Sequence, residues 1–222
     1  MTAHRPPLPD SLVFDLDGTL WDTCDTCARG WNNVIARHGI RFREITGDDV
    51  RRVAGRSHDQ CMRDTFVGLS EAELELLTRE TITEDNALID REGGALFDGV
   101  REGLIALGRT YPLFIVSNCQ SGYIETFFQW SRLGGCFRDF ECWGNTGLPK
   151  GANLRSVIEK NGLRAPWFVG DTVGDEDAAL ACGVPFLHVS YGFGRATRQH
   201  ATLTSFDDLC GFFLGLGGVA AP

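Results

Sequence analysis

Short apolar runs, each trailed by a helical pattern, constrain what this chain can fold into more than any other feature of its sequence. The runs are Ser11 to Leu16, Tyr111 to Val116, a weaker Phe137 to Cys142, Trp167 to Val169 and Pro185 to Val189. Between and after them lie helical patterns at Val100 to Leu107, Tyr123 to Leu133, Ala152 to Glu159, Glu176 to Ala181 and Phe206 to Leu214. Brief continuous apolar runs suit buried strands, and their alternation with helices implies parallel crossover units. The expected fold is α/β, a three-layer α/β/α Rossmann-like core built on a parallel sheet. Ligands of such sheets bind beyond the carboxyl ends of the strands, so those ends are where chemistry is sought.

One connection is out of proportion to the rest. More than 90 residues separate Gly18 from Thr110, whereas a parallel crossover needs a dozen or so. Most of the excess reads helical: Asp22 to His38 has apolar spacing and ends at Gly39, and Ser70-Glu-Ala-Glu73 is a capping box opening a run through Ile89. An all-helical insertion directly after the first strand sits above that strand's carboxyl end. Residues 20–96 are therefore expected to form a helical cap, and residues 1–19 with 97–222 the core. Within the cap, residues 37–63 carry seven arginines against four acids, and residues 71–92 carry eight acids against two arginines. The acidic half reads as a solvated helix face. From the basic half, Arg56, and His58 beside it, are candidate cap contacts to an anionic substrate.

Charge and composition exclude several classes. The chain has 21 Lys plus Arg against 30 Asp plus Glu, a net charge of −9, and its only lysines are Lys150 and Lys160. Phosphate-backbone binding runs on clustered cations, so no nucleic acid partner is expected. The start, Met1 to Asp10, is polar and holds three prolines, and no run approaches a membrane span. The apolar, Gly-rich tail from Gly211 reads as a terminal helix and a frayed end. Eight scattered cysteines in a chain of this size read as reduced thiols, which points to a cytoplasmic protein with no membrane partner. Cys24-Asp-Thr-Cys27 lacks a thioredoxin-like context and a second pair for zinc, so it reads as two partly buried thiols.

The chemistry concentrates at strand ends. In Phe14-Asp-Leu-Asp-Gly-Thr-Leu20, Asp15 and Asp17 follow the first run and Gly18 permits a tight turn. Two carboxylates about 4 Å apart repel by about 4 kcal/mol at an effective dielectric of 20, so one protonates or a cation intervenes. Val169-Gly-Asp-Thr-Val-Gly-Asp175 supplies a second pair, Asp171 and Asp175. If the two strands are neighbours, four hard oxygen ligands converge, a set that suits Mg2+. Ser117-Asn118, after the Tyr111 run, offers a hydroxyl and backbone N–H groups to phosphate oxygens. Lys150, at an expected helix start, offers a compact positive charge.

These motifs together resemble the haloacid dehalogenase superfamily, in its phosphoglycolate-phosphatase-like branch with a helical C1-type cap. Asp15-Leu-Asp17-Gly-Thr19, Ser117-Asn118, Lys150, and Gly170-Asp171 with Asp175 stand in the family's order. The resemblance implies a phosphatase acting on a small anionic phosphorylated substrate. Asp15 would attack phosphorus and form an aspartyl-phosphate, and Asp17 would serve as acid and then base. Mg2+ would be held by Asp15, the backbone carbonyl of Asp17, Asp171 and Asp175. Thr19, Ser117, Asn118 and Lys150 would bind the transferring phosphoryl oxygens. Asp17 favours ester hydrolysis over dehalogenation or phosphonate cleavage, and Thr19 leans the same way against the sugar-phosphate mutases. A phosphomutase of the same superfamily and a receiver-like signalling domain are the alternatives. Lys150-Gly151 stands where relatives commonly have Lys-Pro, which weakens any claim to phosphoglycolate itself. The oligomeric state is left as monomer or homodimer.

Overall fold

The strand β1 (Ser11–Phe14) enters the interior with all four residues buried and ends one residue before Asp15. A two-residue strand, β2 (Trp21–Asp22), follows at once and pairs antiparallel with β3 (Ala95–Leu96). Between these lie α1 (Cys24–His38), α2 (Gly47–Arg51), α3 (His58–Thr65) and α4 (Glu71–Glu92). The remainder alternates: α5 (Val100–Gly108), β4 (Leu113–Ser117), α6 (Tyr123–Ser131), β5 (Phe137–Cys142), α7 (Trp143–Thr146), α8 (Lys150–Asn161), β6 (Pro166–Gly170), α9 (Val173–Cys182), β7 (Phe186–Val189), β8 (Ala201–Leu203) and α10 (Phe206–Gly217). This computed structural model describes residues 8–217. The prolines at the start up to Pro7, and residues 218–222 of the expected frayed tail, lie outside the described residues.

Six strands form one parallel sheet in the order β5-β4-β1-β6-β7-β8. The chain steps outward from β1 to β4 and β5, then returns to β6 on the other flank of β1. That reversal leaves a crevice at the carboxyl ends of β1, β4 and β6. Alternate side chains supply the two faces. Leu12 and Phe14 of β1 pack into a cluster with Val100 and Leu104 of α5 and Phe206 and Phe213 of α10. Val13, between them, packs with Leu154 of α8 and Ala178 of α9. Fully burying one such large apolar side chain contributes about 1.5–3 kcal/mol, and both faces of β1 are filled this way.

The insertion is a helical cap, as expected, but not wholly helical, since the β2–β3 ribbon closes it at both ends. Its axis is the pairing of α1 with α4. Gly39 ends α1 with φ 62, and Ser70 opens α4 with the full capping box to Glu73. Arginines of the basic half are largely paired within the protein: Arg43 and Arg52 both meet Asp49, Arg51 meets Asp22, and Arg63 meets Glu71. The reading of the acidic half as a solvated face holds for most of α4 but fails at Asp85, which is 1% exposed. The helix turns that position towards α1, against Gly30, whose missing side chain leaves room for the carboxylate. All eight cysteines are free, with Cys24 and Cys27 both buried. Among the described residues no helix is long and apolar enough to cross a membrane.

Candidate active site

Four of the sequence motifs meet at the carboxyl ends of the central strands. Asp15 follows β1, Ser117 ends β4, Asp171 follows β6, and Lys150 opens α8. Lys150 Nζ reaches Asp15 Oδ1 at 2.6 Å and Asp175 Oδ1 at 2.7 Å, with all three side chains almost fully buried. Burial alone would lower the lysine's pKa, yet the two carboxylates together carry it upward. Asp175 has a second task. Its Oδ2 accepts from the Thr172 amide (2.9 Å) and hydroxyl (2.7 Å), while Thr172 Oγ1 accepts from the Asp175 amide, a capping box on α9.

Asp171 is held from the other side. Its Oδ2 accepts from the backbone N–H groups of Phe193 (2.7 Å) and Gly194 (3.2 Å), in the loop after β7. Glycine is required where this loop crosses the first motif, because a Cβ on Gly192 would lie 2.2 Å from the Gly18 carbonyl and 2.4 Å from Asp171 Cβ. Gly18 itself has φ +81 and leaves no room for a side chain beside Asp171. The Gly192→Ala variant should therefore displace the loop and release Asp171, weakening divalent-cation affinity by about tenfold or more. Calorimetric titration of the variant with Mg2+ checks this.

The donor set suits a hard divalent cation. Asp15, Asp171 and Asp175 each offer an oxygen within 4.8 Å of the others, and all three are buried. Asp15 Oδ2 and Asp171 Oδ1 are buried without a hydrogen-bond partner. Burial, then the neighbouring carboxylates, raise both groups, Asp171 to about 7. Acids gathered at this cost to their charged forms are relieved by a bound cation.

Asp17 stands apart from this trio. Its Oδ1 accepts from the Tyr123 hydroxyl at 2.7 Å, and Tyr123 also meets Thr23, where the cap begins. Burial lifts its pKa to about 6 against the opposing pull of that hydrogen bond. Thr19 is fully buried, and its hydroxyl has no partner. The Ser117 hydroxyl accepts from the Cys119 amide. Asn118 Nδ2 donates to the Gly55 carbonyl of the cap at 2.8 Å. Across the same seam, Asn86 of α4 donates to the Ser121 carbonyl.

A cavity of about 70 Å³ lies under the cap and is lined from below by Asp15, Asp17, Ser117 and Asn118. Arg56 and His58 both reach its wall. The Arg56 guanidinium is half-exposed and ion-paired with Asp64. His58 is buried, its Nε2 is 2.8 Å from Thr81 Oγ1, and burial lowers its pKa to about 4, so it is neutral.

The haloacid dehalogenase-like hydrolase family profile matches residues 12–189, from the first buried strand through β7. The chain belongs to this family. A phosphoglycolate phosphatase from Agrobacterium fabrum is 27% identical over 196 residues, covering 84% of this chain and 83% of the relative. Another, from Pseudomonas savastanoi pv. phaseolicola, is 28% identical over 221 residues, covering 91% and 78%. The crystal structure of a predicted phosphatase from Clostridium acetobutylicum superposes with a TM-score of 0.77 at 18% identity, covering 94% of this chain and all of that one, a likeness of fold. Family and relatives together mark the chain as a hydrolase of the phosphatase kind.

Asp15, Asp17, Ser117, Asn118, Lys150, Asp171 and Asp175 lie at this crevice or on the cavity beside it, while Thr19 is fully buried behind them. Sequence reasoning missed Tyr123 and the Phe193 and Gly194 amides. A signal existed for the amides alone, in Tyr191-Gly-Phe-Gly194, whose two glycines permit a turn after the Pro185 to Val189 run. Nothing local marks Tyr123, whose partner is 106 residues away.

Proposed function

We propose that this chain is a Mg2+-dependent phosphatase that hydrolyses the phosphate monoester of a small metabolite through an aspartyl-phosphate on Asp15. The observation that carries the reading is a buried Asp15 carboxylate with one oxygen on Lys150 and the other unpartnered, clustered with Asp171 and Asp175. Asp15, Asp171 and Asp175, with the backbone carbonyl of Asp17, would hold the metal. Bound there, Mg2+ supplies positive charge that draws the phosphoryl oxygens and offsets charge developing on them.

The remaining chemistry falls to the chain's own groups. Asp15 attacks phosphorus, dividing one hard displacement into two easier ones. Asp17, seated by Tyr123, gives a proton to the leaving oxygen and later takes one from the attacking water. Lys150, Ser117, Asn118 and the unpaired Thr19 hydroxyl hold the transferring oxygens. In this reading residues 20–96 act as the lid over a core of 1–19 and 97–222, excluding water and presenting Arg56 and His58 to the cavity. The names of the relatives support a small phosphorylated metabolite.

Incubation with p-nitrophenyl phosphate and Mg2+ tests the reaction class. Release of p-nitrophenol should depend on Mg2+, fall to background with excess EDTA, and return on adding the metal back. Metal-independent release, or none, would sink the reading.

A further inference from the structure

The segment from Tyr191 to Arg198 runs between β7 and β8 without regular structure, so its path depends on the groups that hold it. At its start the Tyr191 hydroxyl donates to the Thr19 carbonyl at 2.8 Å. In its middle the Phe193 and Gly194 amides occupy Asp171 Oδ2, which leaves Oδ1 as the buried oxygen without a partner. At its end stands Glu176, fully buried on α9 and one residue past Asp175. Its Oε1 accepts from the amides of Thr197 (3.0 Å) and Arg198, and its Oε2 from Arg198 Nε at 3.1 Å. Burial alone would raise the Glu176 carboxyl, yet these bonds carry it below the ordinary range. An acid near a helix start gains from the dipole while still exposed to water, so the dipole does not account for the burial of this one.

We propose that Glu176 is a positioning residue for the cation site. By clamping Thr197 and Arg198 it holds the segment as a strap, and through the Phe193 and Gly194 amides the strap holds Asp171 with Oδ1 left free for the cation. The inference rests on the reading of Asp15, Asp171 and Asp175 as metal ligands.

The lever is short. Three peptide steps separate Gly194 from Thr197, a reach of about 11 Å at most, so slack at Glu176 arrives at the amides on Asp171. The strap has little freedom to absorb it. A Cβ on Gly194 would lie 2.8 Å from the Asp171 carbonyl oxygen and 2.9 Å from Thr172 Cγ2, and Ala196 packs on the apolar cluster shared by α8 and α9. Asp171 follows β6 and Glu176 lies in α9, so the strap ties together the two ends of the turn that carries Asp175.

Isothermal titration of the full chain with Mg2+ tests the clamp. Glu176→Leu leaves the two strap amides without an acceptor and should weaken Mg2+ binding about tenfold. Glu176→Gln keeps Oε1 for both amides and should stay within about threefold of the unmodified chain. Leu77→Ala empties a buried position in the cap, lowers stability without touching the strap, and should leave the affinity unchanged when all titrations are run below the melting transitions. Hydrogen exchange on the unmodified chain gives a second measurement that needs no variant: by reciprocity, Mg2+ should slow exchange of the Phe193 to Arg198 amides. Unchanged affinity in Glu176→Leu, an equal loss in Glu176→Gln or Leu77→Ala, or strap exchange indifferent to Mg2+ overturns the proposal. If Glu176→Leu fails to fold, the exchange result decides. An unmodified chain that binds no Mg2+ overturns the metal reading and the clamp together, whereas binding that persists unaltered in Glu176→Leu overturns the clamp alone. Turnover of p-nitrophenyl phosphate by the unmodified chain is measured in parallel, so failure of the phosphatase reading is seen separately.

Discussion

Replacing Asp15 by Asn should reduce Mg2+-dependent turnover of p-nitrophenyl phosphate by about 10,000-fold or more while leaving the chain folded. The loss is large because no neighbour can take over the attack: Asp175 is spent on a helix cap and Lys150, and Asp171 is tied to two loop amides. Folding survives because an amide oxygen still accepts from Lys150, whose second carboxylate partner remains. Burial and the charges of Asp175 and Asp171 all oppose ionisation of Asp15. Without metal, then, the variant should melt at the same temperature as the unmodified chain or higher. Its midpoint should also respond less to added Mg2+, since one ligand is gone. Steady-state kinetics and thermal scans with and without Mg2+ read both effects. Activity within tenfold of the starting protein would remove Asp15 from the role of nucleophile.

The second large effect concerns stability. Lys150→Met deletes the one cation between two carboxylates whose side chains are 2% and 0% exposed. Breaking a buried ion pair by removing one partner costs about 3–5 kcal/mol, because the charge left behind has neither water nor a counterion. Here two buried carboxyl groups lose their shared partner, next to the raised Asp171 carboxyl, and Asp15 loses the cation that favoured its ionised form. The metal-free variant should lose stability on that scale in urea unfolding. Saturating Mg2+ should restore part of it, about 2.7 kcal/mol at a hundred times the dissociation constant. Turnover should not return with the stability, because the transferring oxygens lose their lysine. Unfolding curves unchanged by the substitution would mean that the triad is not under the electrostatic load described.

The central strands were legible because burial on both faces makes them continuous apolar runs. β1, β4, β6 and β7 all lie within one or two residues of the sequence reading. The outer β8, only three residues long and half-exposed, offers no such run. Neither does the two-residue ribbon at the foot of the cap, where pairing is imposed by the chain's return to the core. The site divides on similar lines. Asp15, Asp17, Lys150, Asp171 and Asp175 stand in short motifs whose residue types suffice to suggest a metal and a phosphoryl group. Tyr123 acquires meaning only when distant elements meet. In the cap, Asp85 was misleading, since seven other acids surround it in residues 71–92 and nothing in their order says which one turns inward.

The double engagement of Asp175 limits how this site can change over generations. A Glu there could close the same capping box, as Glu73 does on α4, but its extra methylene would shift the oxygen that meets Lys150, and an Ala would lose both the cap and the lysine's partner. Asn could still accept from Thr172 but would withdraw a charge from the trio. Position 175 is thus held by two unrelated demands at once, whereas no helix end depends on the side chains of Asp15 or Asp171. Mutational drift, or a designer re-tuning the site for another metal, would meet its narrowest passage at the first turn of α9.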